Sequence, residues 1–490
     1  MKPDNLSRRR FLLVSSSTAG IAILAACGQA TPPTAVPSKP AEAPKPAATK
    51  PAEPAKPADA AKPAAAVEAT KPAAPAVKPA AAPAKGVTVR FVTATYGDEK
   101  TQKDTLDPIV AAIKTSSGNN IEYEIMNFTK LRDYLRLAAT GGDSADVCDQ
   151  FQLYSHVQIG QGKAGPAPMD DYKQLFGNLD TRFTKSSLPD VMWQGKWYGI
   201  PHRVDIRPQV YRTDYFQEAG LTKPPDTWDD LIEFGKKLTK ADGSRWGISI
   251  PSAGALVQYS FTWIWQAGGS FMDADGKKAT VNTPEVKAGL QMLQDMVMKH
   301  KIAAPNVPDP SFNYLAEFKA GKSAMLPSAT QGFKFDMEKT APQLNGKWVA
   351  AIGPKGPKTR DSYLGAGYYG MLQNSKVRDQ GAEFLAAFTS DENLLKTAKA
   401  YLQMSPNLKA LQDPYFANDP WYKVSTETLQ YGRTSQHPSA AWAKLVLEQA
   451  GGVIFDMVQN TIVGKTPIDQ AVVTAQELMQ KEMDALAAAR

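Results

Sequence analysis

The residue types that most often catalyse reactions form no recognisable pattern in this chain of 490 residues. The sequence contains none of the motifs HExxH, GxSxG or GxxxxGK[ST]. It has four histidines, which lie far apart: His156, His202, His300 and His437. Cys27 and Cys148 are too few for a disulfide framework or a cysteine zinc site. The sequence therefore predicts no catalytic residue, no metal and no cofactor, although two carboxylates meeting in a cleft, as in a glycoside hydrolase, stay open.

Aromatic rings and amides, in contrast, recur at a helical spacing. The stretch VQYSFTWIWQ places Tyr259, Trp263 and Gln266 four and three residues apart, on one face of a predicted helix. Flat rings and planar amides suit a ligand with apolar patches and many hydroxyl groups, such as a sugar. We predict that this face contacts a ligand. The alternative is that the face belongs to the hydrophobic core.

Strands and helices alternate from the start of the predicted folded region, which indicates parallel pairing. The chain reads VTVRFVTA, a helical stretch, IEYEIMNF, a second helical stretch and DVCDQF. In such sheets ligands bind beyond the carboxyl ends of the strands, so the segments ATYGDEK and QFQLYSH are expected to line a cleft. The candidates in these segments are Tyr96, Asp98, Gln152 and Tyr154. Cys148 lies within the last strand and is predicted to be a small core residue.

The basic charge of the chain lies mostly outside the predicted folded region. Residues 1–86 hold 12 of the 56 Lys and Arg and 5 of the 49 Asp and Glu, which leaves 44 of each for residues 87–490. A neutral folded region argues against a nucleic-acid partner. Because 490 residues exceed what one hydrophobic core usually organises, we expect two lobes with a cleft between them.

Residues 1–26 are predicted to be an export signal. The basic segment SRRRFL precedes an apolar run that is too short and too rich in Ser, Gly and Ala for a good membrane span. Arg8 and Arg9 fit the twin-arginine pattern, and an ordinary secretion signal is the alternative. The run ends in Leu-Ala-Ala-Cys, which looks like the lipobox of bacterial lipoproteins, so Cys27 is the predicted lipidation site. A merely apolar Cys27 near a cleavage site is the alternative.

Residues 27–86 are predicted to form a disordered tether behind the lipidated Cys27. Residues 31–86 hold 14 of the 37 prolines, mostly in KPA and APA units with almost no aromatic residues. Such a segment has little to bury and favours an extended conformation. The prediction is a globular head held at a distance from a membrane, and a neutral low-complexity insert is the alternative.

Four groups of motifs carry a resemblance to a known family. The first is GKWYGIP, VYRTDYF, AGL and PPDTWDDL; the others are WQAGGSFMDADGKKATVNTPEVKAGLQMLQDMV, EFKAGKSAMLPSATQG and YLGAGYYGMLQNSKVRDQGAEFLAAFTSDE. In order and spacing they resemble the extracellular solute-binding proteins (family 1) of ABC sugar importers, with weaker similarity to maltodextrin- and oligosaccharide-binding members. Arg212 and Thr213 stand where the family usually has Asn and Lys. Independently of this resemblance, the residue types predict that Asp226 or Thr227 caps a helix that begins at Trp228.

The resemblance implies an α/β, two-lobe periplasmic-binding-protein fold (type II-like). Each lobe would be a mainly parallel sheet flanked by helices, with hinge crossings and a cleft between the lobes. Lobe 1 would comprise residues 87–203 with about 359–400, and lobe 2 about 206–355 with about 405–490. The crossings would lie near 202–208, 353–360 and 392–406, and ligand would close the cleft by hinge motion.

The resemblance also implies partners and a location. These are a small carbohydrate ligand, the permease subunits of an ABC transporter with their ATPase, and the membrane through the lipid on Cys27, with the protein a monomer on the extracytoplasmic face of a bacterial membrane. It implies further ligand residues at or near the family motifs: His202, Asp205, Gln331, Tyr368 and Trp442. Of Tyr368 and Tyr369 we expect one side chain to face inward and one outward. Trp442 matches an aromatic residue that stacks on sugar in maltodextrin binders, and core packing is the alternative for it.

The ligand class stays open at this point. The aromatic residues favour a neutral sugar or oligosaccharide, whereas Arg203 and Arg207 near the first crossing fit an acidic sugar or a glycerophosphodiester. A surface lipoprotein that binds polysaccharide, or a glycoside hydrolase, is the alternative of another class.

Overall fold

Two β-sheets flanked by helices organise the computed structural model, which describes residues 86–307, 309, 311–446 and 451–488, with the backbone alone at 253 and 254. All of these residues belong to one compact unit, Lys78–Arg490. The predicted export signal, the lipidation site Cys27 and residues 28–85 of the predicted tether lie outside the described residues.

The strands and helices alternate along most of the described chain. In chain order the strands are β1 (Thr88–Ala94), β2 (Asn120–Met126), β3 (Val147–Gln150), β4 (Met192–Trp193), β5 (Lys196–Trp197), β6 (Ile200–Ile206), β7 (Gln209–Arg212), β8 (Trp246–Ile248), β9 (Ser323–Leu326), β10 (Trp348–Ala351), β11 (Ser362–Met371) and β12 (Gly432–Thr434). The helices of the first half are α1 (Glu99–Ser117), α2 (Phe128–Ala139), α3 (Leu153–Gly160), α4 (Leu179–Arg182), α5 (Thr213–Glu218), α6 (Trp228–Leu238) and α7 (Ala253–Gln266). Those of the second half are α8 (Pro284–Val297), α9 (Tyr314–Lys319), α10 (Phe333–Thr340), α11 (Arg378–Phe388), α12 (Asp391–Tyr401), α13 (Leu408–Leu411), α14 (Pro414–Ala417), α15 (Pro420–Thr428), α16 (Trp442–Leu445), α17 (Val453–Ile462) and α18 (Ile468–Ala488). Short 3-10 helices lie at Asp170–Leu175, Pro189–Val191, Pro342–Leu344 and Leu429–Tyr431.

The first sheet has the strand order β12-β11-β3-β1-β2, and β6 also pairs with β11. β1 is parallel to β2 and β3, with Thr88 opposite Asn120 and Phe91 opposite Val147. β11 runs antiparallel to β3 and β6. The strand-helix-strand pattern of the amino-terminal part therefore gave the parallel pairing that we expected.

The second sheet has the order β10-β7-β9-β8. Only the β8–β9 pair is parallel; β7 is antiparallel to both β9 and β10. This sheet differs from the mainly parallel one that we expected, because β7 and β10 are neighbouring antiparallel strands at the points where the chain enters and leaves this sheet.

Local sequence signals fix where several helices begin. The Thr227 side chain accepts a hydrogen bond from the backbone N–H of Asp230, whose carboxylate accepts one from the Thr227 N–H. This capping box confirms the predicted helix start and selects Thr227 over Asp226. Asp98 caps α1 in the same way, accepting hydrogen bonds from the backbone and side chain of Thr101.

Each sheet has its own hydrophobic core. In the first, Phe91 packs against Tyr369, Phe384 and Phe388, with ring centroids 5.0–5.4 Å apart. The second core gathers around α7, α8, α17 and α18. Cys148 is fully buried in the first core, as predicted. Two cores of this size are what a chain of two lobes requires.

The chain passes between the sheets at two described segments. β6 belongs to the first sheet and β7, which begins three residues later, to the second. The return runs from β10 to β11, through residues 352–361. β12 also pairs in the first sheet, although it falls in the range expected for lobe 2. The exact boundaries of the lobes stay a prediction.

In the described part of the chain, no helix combines the length and the apolar character that crossing a membrane requires.

Candidate functional site

A cavity of about 310 Å³ lies where the carboxyl ends of the first sheet's strands meet α7 of the second core. Residues from both sides line it: Phe128, Arg132, Phe151, Gln152, Arg203, Asp205, Gln258, Phe261, Tyr363, Gly365, Ala366, Ser435, Gln436, Trp442, Ala443 and Val446. The lining combines aromatic rings with amides and charged groups. Three of the predicted ligand residues are among them: Gln152, Asp205 and Trp442.

Gln152 follows β3 in a left-handed backbone conformation, with φ of +56°. This conformation is strained for a residue with a side chain and is found at sites where the surrounding structure enforces it. Its Oε1 atom is buried and has no hydrogen-bond partner in the described part of the chain. This acceptor is therefore unpaired but covered by neighbouring protein atoms, at the edge of the cavity.

A hydrogen-bonded group of four side chains lies behind this side of the cavity. Asp149, at the end of β3, is fully buried; its Oδ2 accepts from the Tyr96 hydroxyl at 2.6 Å and from the Ala94 N–H at 3.2 Å. Its Oδ1 lies 3.0 Å from His202 Nε2. Nε of Arg203 donates to the Tyr96 hydroxyl at 2.7 Å. We call Tyr96, Asp149, His202 and Arg203 the strand-end network.

The pKa shifts of the network fit a buried carboxylate beside a guanidinium. Burial raises the pKa of Asp149, but His202, the charge of Arg203 and the Tyr96 hydroxyl outweigh it, and the pKa lies below its usual value. Burial lowers the pKa of His202, more than Asp149 raises it. Burial lowers the pKa of Arg203 as well, but Tyr96 and Asp149 raise it by more, so its pKa lies above the usual value. At neutral pH the network thus holds one carboxylate, one guanidinium and a neutral imidazole.

Of this network, only Arg203 lines the cavity. Its guanidinium lies beside the rings of Tyr96 and Phe128, 5.2 Å from each centroid, and the two rings contact each other edge to face. β11 approaches it closely at Gly367, where a Cβ atom would lie 2.8 Å from Arg203 Nε. The glycine-rich strand that we expected to approach the ligand therefore makes room for Arg203 at this position. Tyr96 and His202, predicted as ligand contacts, lie behind Arg203 and do not line the cavity.

Asp205 lies two residues further along β6. Its Oδ2 accepts from Nε and Nη2 of Arg207, at 3.2 and 2.8 Å, and its Oδ1 accepts from the Gln331 N–H at 3.1 Å. Arg207 also donates to Gln258 Oε1 and lies over the Tyr363 ring, 4.3 Å from the centroid. Asp205 is thus a cavity residue whose two oxygens already have partners.

α7 presents a different face to the cavity from the one we expected. Gln258 and Phe261 line the cavity, whereas Tyr259 and Trp263 are buried in the second core. Gln266 links two segments, accepting from Trp228 Nε1 at 2.6 Å and donating to the Asp361 carbonyl at 2.9 Å. The spacing signal was real but ambiguous, because Gln258, Phe261 and Trp265 share the opposite face at the same three- and four-residue intervals.

The segment after β12 closes the cavity on a third side. Trp442 is 1% exposed, donates from Nε1 to the Ser435 carbonyl at 2.8 Å and packs against His437. Gln436 donates from Nε2 to Asp190 Oδ1 at 2.7 Å and accepts from the Tyr154 N–H. Burial raises the pKa of Asp190 to about 6, against the hydrogen bonds from Thr434 and Gln436.

The remaining predicted residues have structural contacts away from the cavity. Tyr154 donates to the Pro189 carbonyl and Asp98 caps α1, exposed to solvent. Gln331 is buried and donates from Nε2 to the Ile206 carbonyl. Tyr368 donates to Gln150 Oε1.

The expectation that one of Tyr368 and Tyr369 faces outward was wrong. Both are buried, because both faces of β11 are covered at this point.

Several lining residues were missed: Phe128, Arg132, Phe151, Gln258, Phe261, Tyr363, Ser435 and Gln436. Phe151 and Phe128 follow the ends of β3 and β2, so the rule that ligands bind at strand ends could have found them. Gln436 and Ser435 carried no local signal. Within the described residues, no group of three or more His, Cys, Asp or Glu side chains is arranged to hold a metal ion.

The chain is similar in sequence to a family of known proteins. Residues 96–394 match the model of the bacterial extracellular solute-binding protein family. A mannitol-binding protein of Pseudomonas aeruginosa is 23% identical over 375 residues, which are 69% of this chain and 83% of that protein. A lactose-binding protein of Rhizobium radiobacter is 27% identical over 212 residues, which are 41% of this chain and 48% of that protein.

The fold is also that of a solved solute-binding protein. An ABC substrate-binding protein of Listeria monocytogenes in complex with cycloalternan superposes with a TM-score of 0.68 at 21% identity, covering 82% of this chain and all of that one. At this identity the likeness establishes the two-lobe α/β fold. With its family model matched over more than half of its length, the chain belongs to the bacterial extracellular solute-binding protein family.

Proposed function

We propose that this protein captures a carbohydrate in the cavity between its lobes and delivers it to the permease of an ABC transporter. The observation that carries the proposal is the lining: the partly exposed rings of Phe128 and Phe151 lie beside the polar groups of Gln152 and Arg203. Aromatic faces bind the apolar patches of a sugar, and amides and guanidinium groups bind its hydroxyls. Mannitol, lactose and cycloalternan, named for the relatives, belong to this chemical class.

Capture would involve closure of the two lobes. The lining comes from the first sheet, from α7 of the second core and from the segments that join them, so a ligand in the cavity contacts both sides. A ligand that makes more contacts in the closed form shifts the equilibrium toward that form. The chain segments at 202–208, 353–360 and 392–406 are the proposed hinge.

The proposal extends to the location of the protein. Residues 1–26 would direct export, by the twin-arginine or the ordinary secretion route, and Cys27 would carry the lipid that anchors the protein to the membrane. Each buried methylene of an acyl chain contributes about 0.8 kcal/mol, so several chains hold a protein without a spanning helix. Residues 27–86 would let a monomeric head search the extracytoplasmic space near the permease and its ATPase.

A ligand screen by thermal unfolding tests the central claim. The purified full chain is heated with and without glucose, maltose, maltotriose, lactose and mannitol. A ligand at a hundredfold excess over its Kd stabilises the folded state by about 2.7 kcal/mol, which raises Tm visibly. Phe151→Ala, which removes a half-buried ring from the cavity lining, should abolish the shift.

Phe335→Ala is the matched control, because Phe335 is also half-buried but lies on α10, over Lys339 and outside the cavity lining. Its ligand-induced shift should equal that of the parent. If no soluble carbohydrate raises Tm while surface polysaccharides bind to the protein or are cleaved by it, the transport proposal fails and the adhesive or hydrolytic reading replaces it.

A further inference from the structure

Arg203, a cationic group in the cavity, has no direct ion pair among the described residues, and the nearby Asp149 and Asp205 act on it only through their charge. The hydrogen bonds of Arg203 to described residues end at Nε; its terminal nitrogens Nη1 and Nη2 have no partner there. They are not sealed in the interior either, since Arg203 lines the cavity and is only partly buried. A guanidinium has five N–H donors in a fixed fork, so the two terminal nitrogens are left to a ligand.

The carboxylates near Arg203 are already engaged. Asp149 accepts from Tyr96, Ala94 and His202, and it makes no direct hydrogen bond with Arg203. Asp205 is paired with Arg207. Asp149 offsets part of the charge of Arg203 from behind, and on the cavity side Asp205 is the one carboxylate among the described lining residues.

Arg203 is also held in place before any ligand arrives. Tyr96 accepts a hydrogen bond from Nε, and the rings of Tyr96 and Phe128 pack against the guanidinium. The side chain also fills the space that Gly367 leaves by having no Cβ atom. A pre-positioned side chain loses little conformational entropy on binding. Paired parallel N–H donors match the two oxygens of a carboxylate or phosphate.

We propose that the ligand of this protein carries an anionic group, a carboxylate or a phosphate, that binds Nη1 and Nη2 of Arg203. This inference rests on the proposed function and narrows its ligand class from carbohydrates to acidic or phosphorylated ones. Arg203 then determines specificity by charge, while the rings and amides hold the rest of the molecule. Tyr96 and Asp149 are positioning residues, because they act through Arg203.

Matched ligand pairs test the proposal by isothermal titration calorimetry on the purified full chain. The pairs are glucose with glucuronate, galactose with galacturonate, and glycerol with glycerol 3-phosphate, at low and high salt. We expect at least one anionic member to bind tenfold or more tightly than its neutral partner. Tighter binding of glucuronate or galacturonate identifies the anionic group as a carboxylate, and tighter binding of glycerol 3-phosphate identifies it as a phosphate.

Variants assign the preference to Arg203. Arg203→Gln should weaken binding of the anionic ligand about 30-fold or more, since truncating one partner of a buried charged pair costs several kcal/mol. It should weaken binding of the neutral partner by less than about tenfold, since only hydrogen bonds to hydroxyl groups are lost. Arg203→Lys keeps the charge without the fork and should fall between the parent and Arg203→Gln. Arg136→Gln removes the same charge from an exposed site on α2, where Arg136 pairs with Asp133, and should bind like the parent.

The outcomes separate this inference from the proposed function. If neutral sugars bind as tightly as their acidic partners, or if Arg203→Gln weakens both members of a pair equally, the inference is overturned and carbohydrate capture stands. If no member of any pair binds and the carbohydrates of the thermal screen also fail, the proposed function is overturned with it. Thermal unfolding of Arg203→Gln without ligand shows whether the variant is folded. If it is not, the affinities of Arg203→Lys for the anionic and neutral partners test the inference instead.

Discussion

The two sides of the cavity differ in the chemical character of their side chains. On the side of the first sheet, the strand ends bring together Tyr96, Asp149, His202 and Arg203, which are linked by hydrogen bonds. On the side of the second core, α7 offers Gln258 and Phe261 while the rest of its aromatic residues pack inward. The first side therefore carries the charged and titratable side chains, and the second side packs against the cavity mainly with apolar side chains. A helix with many aromatic residues thus contributes less to this site than strand ends with few.

The largest effect should come from removing the support on the second side. Trp263→Ala deletes a buried ring that packs against Trp228 and Tyr259. We expect the free energy of unfolding to fall by about 3–5 kcal/mol, measured by urea denaturation. Trp193→Ala, at a partly buried ring that packs on Tyr154, is the control and should cost clearly less. Unchanged stability with lost ligand binding would show instead that α7 contacts the ligand through this face.

The second effect concerns pH and Asp190, which accepts hydrogen bonds from Thr434 and Gln436 at the third side of the cavity. Because burial raises the pKa of Asp190 to about 6 from 3.8, its contribution to stability is complete below pH 3.8 and is lost as the pH rises through 6. Asp190→Asn cannot ionise and keeps an oxygen for Thr434 and Gln436. Its free energy of unfolding, relative to the parent, should therefore rise by up to about 3 kcal/mol between pH 4 and pH 8.

Urea denaturation at several pH values measures this difference. Asp133→Asn, at an exposed carboxylate paired with Arg136, is the control and should show almost no trend. A relative stability of Asp190→Asn that is constant with pH would mean that Asp190 has the same pKa in the folded and unfolded protein, so titration near the cavity would be confined to the first side.

A smaller effect should follow from breaking the strand-end network. Tyr96→Phe removes the hydroxyl that donates to Asp149 and accepts from Arg203. We expect a loss of about 2 kcal/mol in the free energy of unfolding, because a buried carboxylate and a guanidinium each lose a partner. Tyr123→Phe, whose hydroxyl donates to the exposed Asp107, should lose much less. Equal losses for the two variants would contradict the assignment of Tyr96 to a buried network.

The smallest effect should appear at Gln266. Gln266→Met keeps the volume of the side chain but removes the acceptor for Trp228 and the donor to Asp361. A loss of about 1 kcal/mol is expected, with ligand affinity unchanged in calorimetry. A tenfold loss of affinity with unchanged stability would mean that Gln266 contacts the ligand. The second side would then contribute more polar groups to the site than we describe.

The fold was largely predictable because its signals are local. The alternating strand-helix pattern, the cap at Thr227 and the family motifs each lie within a short stretch of sequence. The antiparallel pairing of β7 and β10 was not predictable in this way, because it depends on which strands meet after 135 intervening residues. Local patterns thus defined the elements, and long-range pairing decided their order in the second sheet.

The site was predictable only in part, for two physical reasons. A helix face is marked by its spacing, and α7 has two faces with the same spacing, so only packing could choose between them. The strand-end network joins residues 53 and 107 positions apart, Tyr96 with Asp149 and Tyr96 with Arg203. Asp98, in contrast, is followed by Thr101 at the spacing of a helix cap, and that local signal pointed to a structural role.

The burial of Cys148 has a practical consequence for spectroscopy. Its thiol is fully buried, and burial raises its pKa well above the usual range, so it should be inert to maleimide reagents in the folded protein. The sequence has one other cysteine, Cys27. In a Cys27→Ser background, a new cysteine on the exposed side of each lobe could therefore be labelled selectively with fluorescent dyes. Energy transfer between the two dyes would then record opening and closing of single molecules as the ligand concentration is varied.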